Sequence, residues 1–142
     1  MSGTLFVVST PIGNLGDLTR RAEETLRAAT VVAAEDTRRT RALLTHLGIG
    51  SKAVVKLDAN ASERDVEHLV ERLATGDTVA LVTDAGTPSV SDPGTALVRR
   101  AADEDVAVVA IPGPSAVTAA VSVSGLVDGP FCFVGFVARH GE

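Results

Sequence analysis

The stretch Thr78-Val79-Ala80-Leu81-Val82-Thr83-Asp84-Ala85-Gly86-Thr87-Pro88-Ser89-Val90-Ser91-Asp92-Pro93-Gly94 decides the fold. Its first six residues, Thr78 to Thr83, are a short, continuous, β-rich run, the pattern of a strand buried on both faces. A loop about twice the usual βα length follows. It closes on Asp92, a natural N-cap, before Pro93 at a first helical position, so a helix is expected from about Pro93 to Ala102. Strand, loop and helix in this order make one βα unit.

The same unit recurs on both sides. Upstream, Leu5–Val8 reads as a strand, Ser9–Gly16 as its loop, and about Leu18–Ala29 as a helix with Leu18, Ala22, Leu26 and Ala29 on one face. Val31–Ala34 is a second strand, followed by a helix from about Thr37 to Leu47 with Gly48 at its C′ position. Ala53–Leu57 is a third strand. Ser62 caps a third helix with Val66, Leu69, Val70 and Leu73 on its apolar stripe and Gly76 at its end. Downstream, Val106–Ile111 is a fifth strand, Pro112-Gly113-Pro114 a turn, and Ser115 opens a small-residue helix to about Ser124. Five βα units predict an α/β fold: a five-stranded, mostly parallel sheet with helices on both faces. Ligands in such sheets sit outside the carboxyl ends of the strands. That directs attention to three loops, Thr10–Gly16, Asp84–Gly94 and Pro112–Ser115.

Past Gly125 the pattern changes. Gly129-Pro130 is a break, and Phe131-Cys132-Phe133-Val134-Gly135-Phe136 holds three of the four Phe. It reads as a strand with no helix after it, which either pairs at the sheet edge or begins another domain. The domains expected are therefore 1–125, an α/β domain, and 126–142, a linker and the first strand of a second.

Composition bounds the function. A chain of 142 residues is one domain, or one domain and the start of another. At 45% hydrophobic and 22% charged residues it can build a core. Aromatics are 3%, with no Trp or Tyr, which argues against a base-stacking nucleic-acid module. A net charge of −5 argues against a domain-wide grip on nucleic acid, although not against a local basic patch. Cys132 is the one cysteine, so no internal disulfide forms. No run reaches the ~18 apolar residues of a membrane span, and the start lacks a secretory pattern. A cytoplasmic protein is the expectation.

The loops carry the chemistry. The first lacks the three glycines of a dinucleotide fingerprint and has no Gly-Lys-Ser/Thr, so it is either a plain tight turn or a place where a ligand meets backbone. The long loop is dominated by small residues, which lets a ligand lie on main-chain groups. Asp84 stands at a strand's carboxyl end, but the companion Asp of phosphatase chemistry two residues on is absent. Glu35 and Asp36 stand at another strand end before Arg38, Arg39 and Arg41. Asp36 as an N-cap with solvated arginines accounts for most of that segment; a basic edge meeting phosphates is the functional alternative. Residues 20–41 carry six arginines against Glu23, Glu24, Glu35 and Asp36, within an acidic chain. His46, His68, His140 and Cys132 show no metal-ligand spacing, and no metal is expected. His46 and His68 read as helix surface residues.

Thr10-Pro11-Ile12-Gly13-Asn14-Leu15, Ala34-Glu35-Asp36-Thr37-Arg38, Asp84-Ala85-Gly86-Thr87-Pro88 with Ser91-Asp92-Pro93-Gly94, and Pro112-Gly113-Pro114-Ser115-Ala116 occur in one order. Together they resemble the ribosomal RNA small subunit methyltransferase I branch of the tetrapyrrole methylases, over the first half of that family's length. The resemblance implies S-adenosylmethionine-dependent 2′-O-methylation of a cytidine ribose in small-subunit (16S) rRNA, with rRNA or the 30S particle as partner. It implies two α/β domains with S-adenosylmethionine between them, and a homodimer. Cofactor contacts carried over by motif fall on Pro11, Asp84, Ala85, Gly86, Thr87, Val90, Ser115 and Ala116; Phe131–Phe136 matches the family's first strand after its linker. Two departures stand out: Leu57-Asp58-Ala59-Asn60 replaces an aromatic, His-rich segment, and Val137-Ala138 stands where proline is usual.

A sulfonium methyl is already activated, so alignment is the main task, and a ribose hydroxyl benefits from a nearby base. Glu35, Asp36 and Asp84 are the candidates, with Glu35 or Asp36 favoured because Arg38, Arg39 and Arg41 beside them would hold RNA. Two other readings compete. One keeps the fold with a tetrapyrrole-type small molecule as acceptor. The other is a non-catalytic fragment that self-associates through Phe131–Phe136.

Overall fold

The computed structural model describes residues 2–88, 90 and 94–139. Strands β1 (Thr4–Val8), β2 (Val31–Ala34), β3 (Ala53–Lys56), β4 (Val79–Val82) and β5 (Ala107–Ile111) alternate with helices α1 (Arg20–Ala28), α2 (Thr37–His46), α3 (Glu63–Ala74), α4 (Gly94–Asp103) and α5 (Ala116–Ser124). The sheet order is β3-β2-β4-β1-β5. All four pairings are parallel, for example Leu5 against Val79 and Val31 against Val79.

Topology decides which face each helix covers. From β1 the chain crosses to β2 and on to β3; from β3 it turns back to β4 and on to β5. Right-handed crossovers then place α1 and α2 on one face, α3 and α4 on the other. The core divides that way. Ala22, Leu26 and Leu44 pack with Val8, Val32, Ala34, Ala80 and Val82. Leu69, Leu73, Leu97 and Ala101 pack with Leu5, Val31, Ala33, Val79 and Leu81. Alternate residues of β2 and β4 serve opposite faces, so both strands are buried throughout, as continuous apolar runs require.

Local signals set the helix ends. Thr19, not a residue of the helix, caps α1 by accepting from the Ala22 amide, so the helix begins at Arg20 rather than Leu18. Asp36 caps α2, and Gly48 beyond its end has φ +67°. Ser62 and Asp65 form a reciprocal capping box at α3. The expected Asp92 and Pro93 cap of α4 lies outside the described residues. β2 has the expected bounds and β1 begins one residue earlier, at Thr4; β3, β4 and β5 are one or two residues shorter than expected because pairing, not apolarity, ends them.

The last part of the chain departs from the expectation. Helix α5 buries none of its residues. Residues 131–138 form no strand and pair with none of the five strands. A strand is defined by its ladder partner, and a β-rich composition without one stays irregular. No helix among the described residues is long and apolar enough to cross a membrane.

Candidate functional site

The connections leaving β1 and β4 run in opposite directions along the sheet, so the carboxyl ends of these adjacent strands flank a crevice. In open α/β sheets this switch point is where ligands bind. Here the two loops are stapled across it. The Thr10 amide donates to the Gly86 carbonyl at 2.9 Å and the Gly86 amide returns to the Thr10 carbonyl at 3.0 Å. Gly86 has φ +83°, and a Cβ there would meet Ile12 Cγ2 at 3.4 Å and the Pro114 carbonyl at 3.6 Å. Glycine is required by the backbone turn and leaves the main chain open to close approach.

A third loop joins them. Thr87 Oγ1 donates to the Pro114 carbonyl at 3.0 Å. A hydroxyl has a single proton, so Ser9 Oγ is the donor in its 2.8 Å bond to Thr87 Oγ1. Ser9 is buried, and a Cβ on Gly113 would lie 2.8 Å from Ser9 Cβ. The loops after β1, β4 and β5 thus form one platform, through a serine and a glycine that sequence reasoning passed over. Small residues flanking a turn were the available signal.

Two depressions open beside this platform. One, of about 600 Å³, is lined by Ile12, Ala85, Gly86, Thr87, Val90, Ser115 and Ala116, together with the inner side of α5 and Phe131, Cys132, Phe133 and Phe136. It is mostly apolar, with no carboxylate among the described residues that line it. The other, of about 270 Å³, lies between the β1 and β4 loops and α2; its lining includes Thr10, Pro11, Arg39, His46, Thr83 and Asp84. The residues expected to touch cofactor therefore divide. Ala85, Gly86, Thr87, Val90, Ser115 and Ala116 share the larger depression, whereas Pro11 and Asp84 line the smaller.

The carboxylates also differ in occupation. Asp36 Oδ1 accepts from the Arg38 and Arg39 amides at 2.9 and 3.4 Å, an N-cap. Glu35 Oε2 accepts from Thr83 Oγ1 at 3.0 Å, tying β2 to β4. Asp84 Oδ1 accepts from the Asp36 amide at 3.1 Å. Neither Glu35 nor Asp36 lines either depression; among the described residues Asp84 is the one carboxylate that does.

The arginines do not form one patch. Arg39 lines the smaller depression, whereas Arg41 faces a separate hollow toward β3, with Thr45, Gly50 and Lys52. Arg38 lines neither of the two platform depressions. His46 joins Arg39 because positions 39, 43 and 46 share a face of α2. That spacing was visible in the sequence and went unused when His46 was read alone.

An α/β domain with a ligand crevice at its switch point and a platform of three small-residue loops defines the class. Residues 4–131 match the model of the tetrapyrrole (corrin/porphyrin) methylases, and the chain belongs to that family. It is 51% identical over 135 residues to a ribosomal RNA small subunit methyltransferase I of Xylella fastidiosa (strain Temecula1), covering 95% of this chain and 49% of that protein. It is 46% identical to the Escherichia coli O157:H7 protein of the same description, covering 99% and 49%. The chain thus spans about half the length of the curated relatives it matches. Among solved structures, a uroporphyrin-III-C-methyltransferase from Thermus thermophilus superposes with TM-score 0.67 at 22% identity, covering 89% of this chain and 55% of that one. A conserved hypothetical protein from Aeropyrum pernix K1 gives TM-score 0.67 at 29% identity, covering 90% and 45%. The fold is that of the tetrapyrrole methylases.

Proposed function

We propose that this chain is the first domain of an S-adenosylmethionine-dependent methyltransferase acting on small-subunit rRNA, with the 2′-hydroxyl of a cytidine as acceptor. Residues 1–125 form that domain, and 126–142 lead into a second, in keeping with relatives about twice as long. The enzyme works in the cytoplasm as a homodimer. The observation that carries the reading is the three-loop platform at the carboxyl ends of β1, β4 and β5, in a chain about half identical to relatives described as ribosomal RNA small subunit methyltransferases.

The larger depression suits S-adenosylmethionine. Its apolar lining accepts an adenine ring, and the Cβ-free Gly86 exposes main-chain donors and acceptors beside it. Ala85, Gly86, Thr87, Val90, Ser115 and Ala116 hold the cofactor, with Pro11 and Asp84 at its edge. S-adenosylmethionine supplies a methyl group activated by positive sulfur. This chain's residues orient the donor, keep the loops rigid through Ser9, Thr87 and Pro114, and accept the proton lost by the acceptor. Glu35, Asp36 and Asp84 are the carboxylates at the strand ends near the platform. Arg38, Arg39 and Arg41 supply positive charge for RNA, Arg39 at the smaller depression and Arg41 at the separate hollow toward β3.

The test is transfer of labelled methyl from S-adenosylmethionine to small-subunit particles by the full-length protein, followed by nucleoside mass spectrometry. 2′-O-methylcytidine in the rRNA is the expected product. Labelling of a porphyrin precursor in place of RNA overturns the reading.

A further inference from the structure

The smaller depression holds groups that donor binding reaches only at its edge, through Pro11 and Asp84. Arg39 and His46 stand on one side, on α2, and Asp84 on the other, at the end of β4. We propose that this depression seats the acceptor nucleotide: Arg39 and His46 hold a phosphate beside the ribose, and Asp84, not Glu35 or Asp36, takes the proton of the ribose hydroxyl. The proposal rests on the rRNA methyltransferase reading above and names the acceptor half of that site.

Occupation of the carboxylates makes the choice. Asp36 is spent on two α2 amides and Glu35 on the Thr83 hydroxyl. Asp84 uses Oδ1 to accept the Asp36 amide, which fixes its plane. No described residue hydrogen-bonds its Oδ2, which leaves an acceptor for an incoming hydroxyl. Arg39 makes no ion pair among the described residues, although it shares the cavity with Asp84. Arg38 and Arg41 on the same helix are likewise without an ion pair among the described residues, unlike Arg27, Arg72 and Arg100, and what sets Arg39 apart from them is its place in the depression. A guanidinium left unpaired in a chain of net charge −5 suits an anion from outside, and its planar fork matches a phosphate.

Position supplies the rest. Thr10 lines the smaller depression and Gly86, bridged to it, lines the larger, so the two depressions adjoin, as transfer between a methyl donor and a hydroxyl acceptor requires. As the hydroxyl oxygen bonds the methyl carbon, the carbon–sulfur bond breaks and its electron pair goes to sulfur, leaving a neutral thioether. The hydroxyl proton passes to Asp84 and from there to water.

The test uses the full-length protein, with cytidine 3′,5′-bisphosphate as binding probe and labelled methyl transfer to small-subunit particles as activity. Arg39→Gln and His46→Gln are each expected to weaken probe binding by about tenfold, read by calorimetry. Arg39→Lys restores part of the loss, and Arg64→Gln, on the exposed side of α3, changes nothing. Asp84→Asn lowers methyl transfer by about a hundredfold or more, far more than it changes probe or S-adenosylmethionine affinity. Wild-type probe affinity in Arg39→Gln and His46→Gln, or undiminished transfer by Asp84→Asn, overturns the proposal. If the wild type labels no rRNA while probe binding still depends on Arg39 and His46, the anion seat stands and the rRNA reading falls.

Discussion

Helices α1 and α5 are both nine residues long, and their sequences invite the wrong expectation about which is buried. Helix α1, Arg-Arg-Ala-Glu-Glu-Thr-Leu-Arg-Ala, is mostly polar, yet it seats Ala22 and Leu26 in the core with no exposure at all. Helix α5, Ala-Val-Thr-Ala-Ala-Val-Ser-Val-Ser, carries no charge and buries nothing, with Val123 85% exposed. The difference lies in where the connection goes. Helix α1 returns the chain to β2 and must lie against the sheet on the way. Helix α5 follows the edge strand β5 and returns to no strand among the described residues. Its neighbours extend the apolar surface: Leu126 is 88% and Phe136 86% exposed. Apolar content made α5 available for burial, and topology withheld it. A patch of this kind marks an interaction surface.

Mutations can break that contrast. In the 142-residue chain, Leu26→Ala should cost about 2–5 kcal/mol through the cavity it leaves, whereas Val123→Ala should stay within about 0.5 kcal/mol. Urea denaturation of the two variants checks this; equal losses would mean that α5 is packed after all.

The platform gives the next effect in size. Thr87→Val removes the bond to Pro114 and leaves the buried Ser9 hydroxyl without its acceptor, for about 1–3 kcal/mol. S-adenosylmethionine affinity of the full-length protein should fall with it. Unchanged calorimetric affinity would show that the three loops hold their places without Thr87.

Smaller still are the caps. Ser62→Ala removes the α3 capping box and should cost about 1 kcal/mol. The matching change Ser115→Ala should cost almost nothing, since the Ser115 side chain makes no cap bond. Thermal melts of the pair sharpen the comparison between a packed helix and an unpacked one.

The least effect is on pH. Backbone and side-chain hydrogen bonds from Ser62 hold Asp65 below its ordinary value of 3.8, and the Arg100 guanidinium holds Glu67 below 4.5. A carboxylate depressed in the folded state adds stability above its unfolded value and loses it as pH falls through the folded one. Both groups are exposed, so the contribution is small. Urea midpoints should decline slightly between pH 5 and pH 3, on the order of the screened surface terms, and Ser62→Ala should flatten the Asp65 part of that slope.

Much of the fold was legible because βα units announce themselves locally. Continuous runs such as Val31–Ala34 and Val79–Val82 marked central strands, and Ser62, Asp36 and Gly48 marked helix ends by hydrogen-bonding capacity or backbone freedom. The Phe131–Phe136 run was expected either to pair at the sheet edge or to begin another domain; it does not pair with this sheet, since pairing is not a local property. At the site, the small-residue loops were visible as places for a ligand. Their division into two depressions was not, because it depends on the Thr10–Gly86 bridge between residues far apart in sequence. The N-cap role of Asp36 is local and was legible, whereas the partners of Glu35 and Asp84 come from segments 48 residues away and were not.

By itself, then, the sequence determined the βα alternation, the parallel sheet and the identity of the loops at its carboxyl ends. These follow from periodicity, capping and turn chemistry, which act over a few residues. Only the tertiary structure decided the strand order β3-β2-β4-β1-β5 and hence the crevice between β1 and β4. It alone placed Arg39, His46 and Asp84 around one cavity and left α5 bare. Those outcomes depend on crossovers and contacts between distant segments, which no local rule encodes.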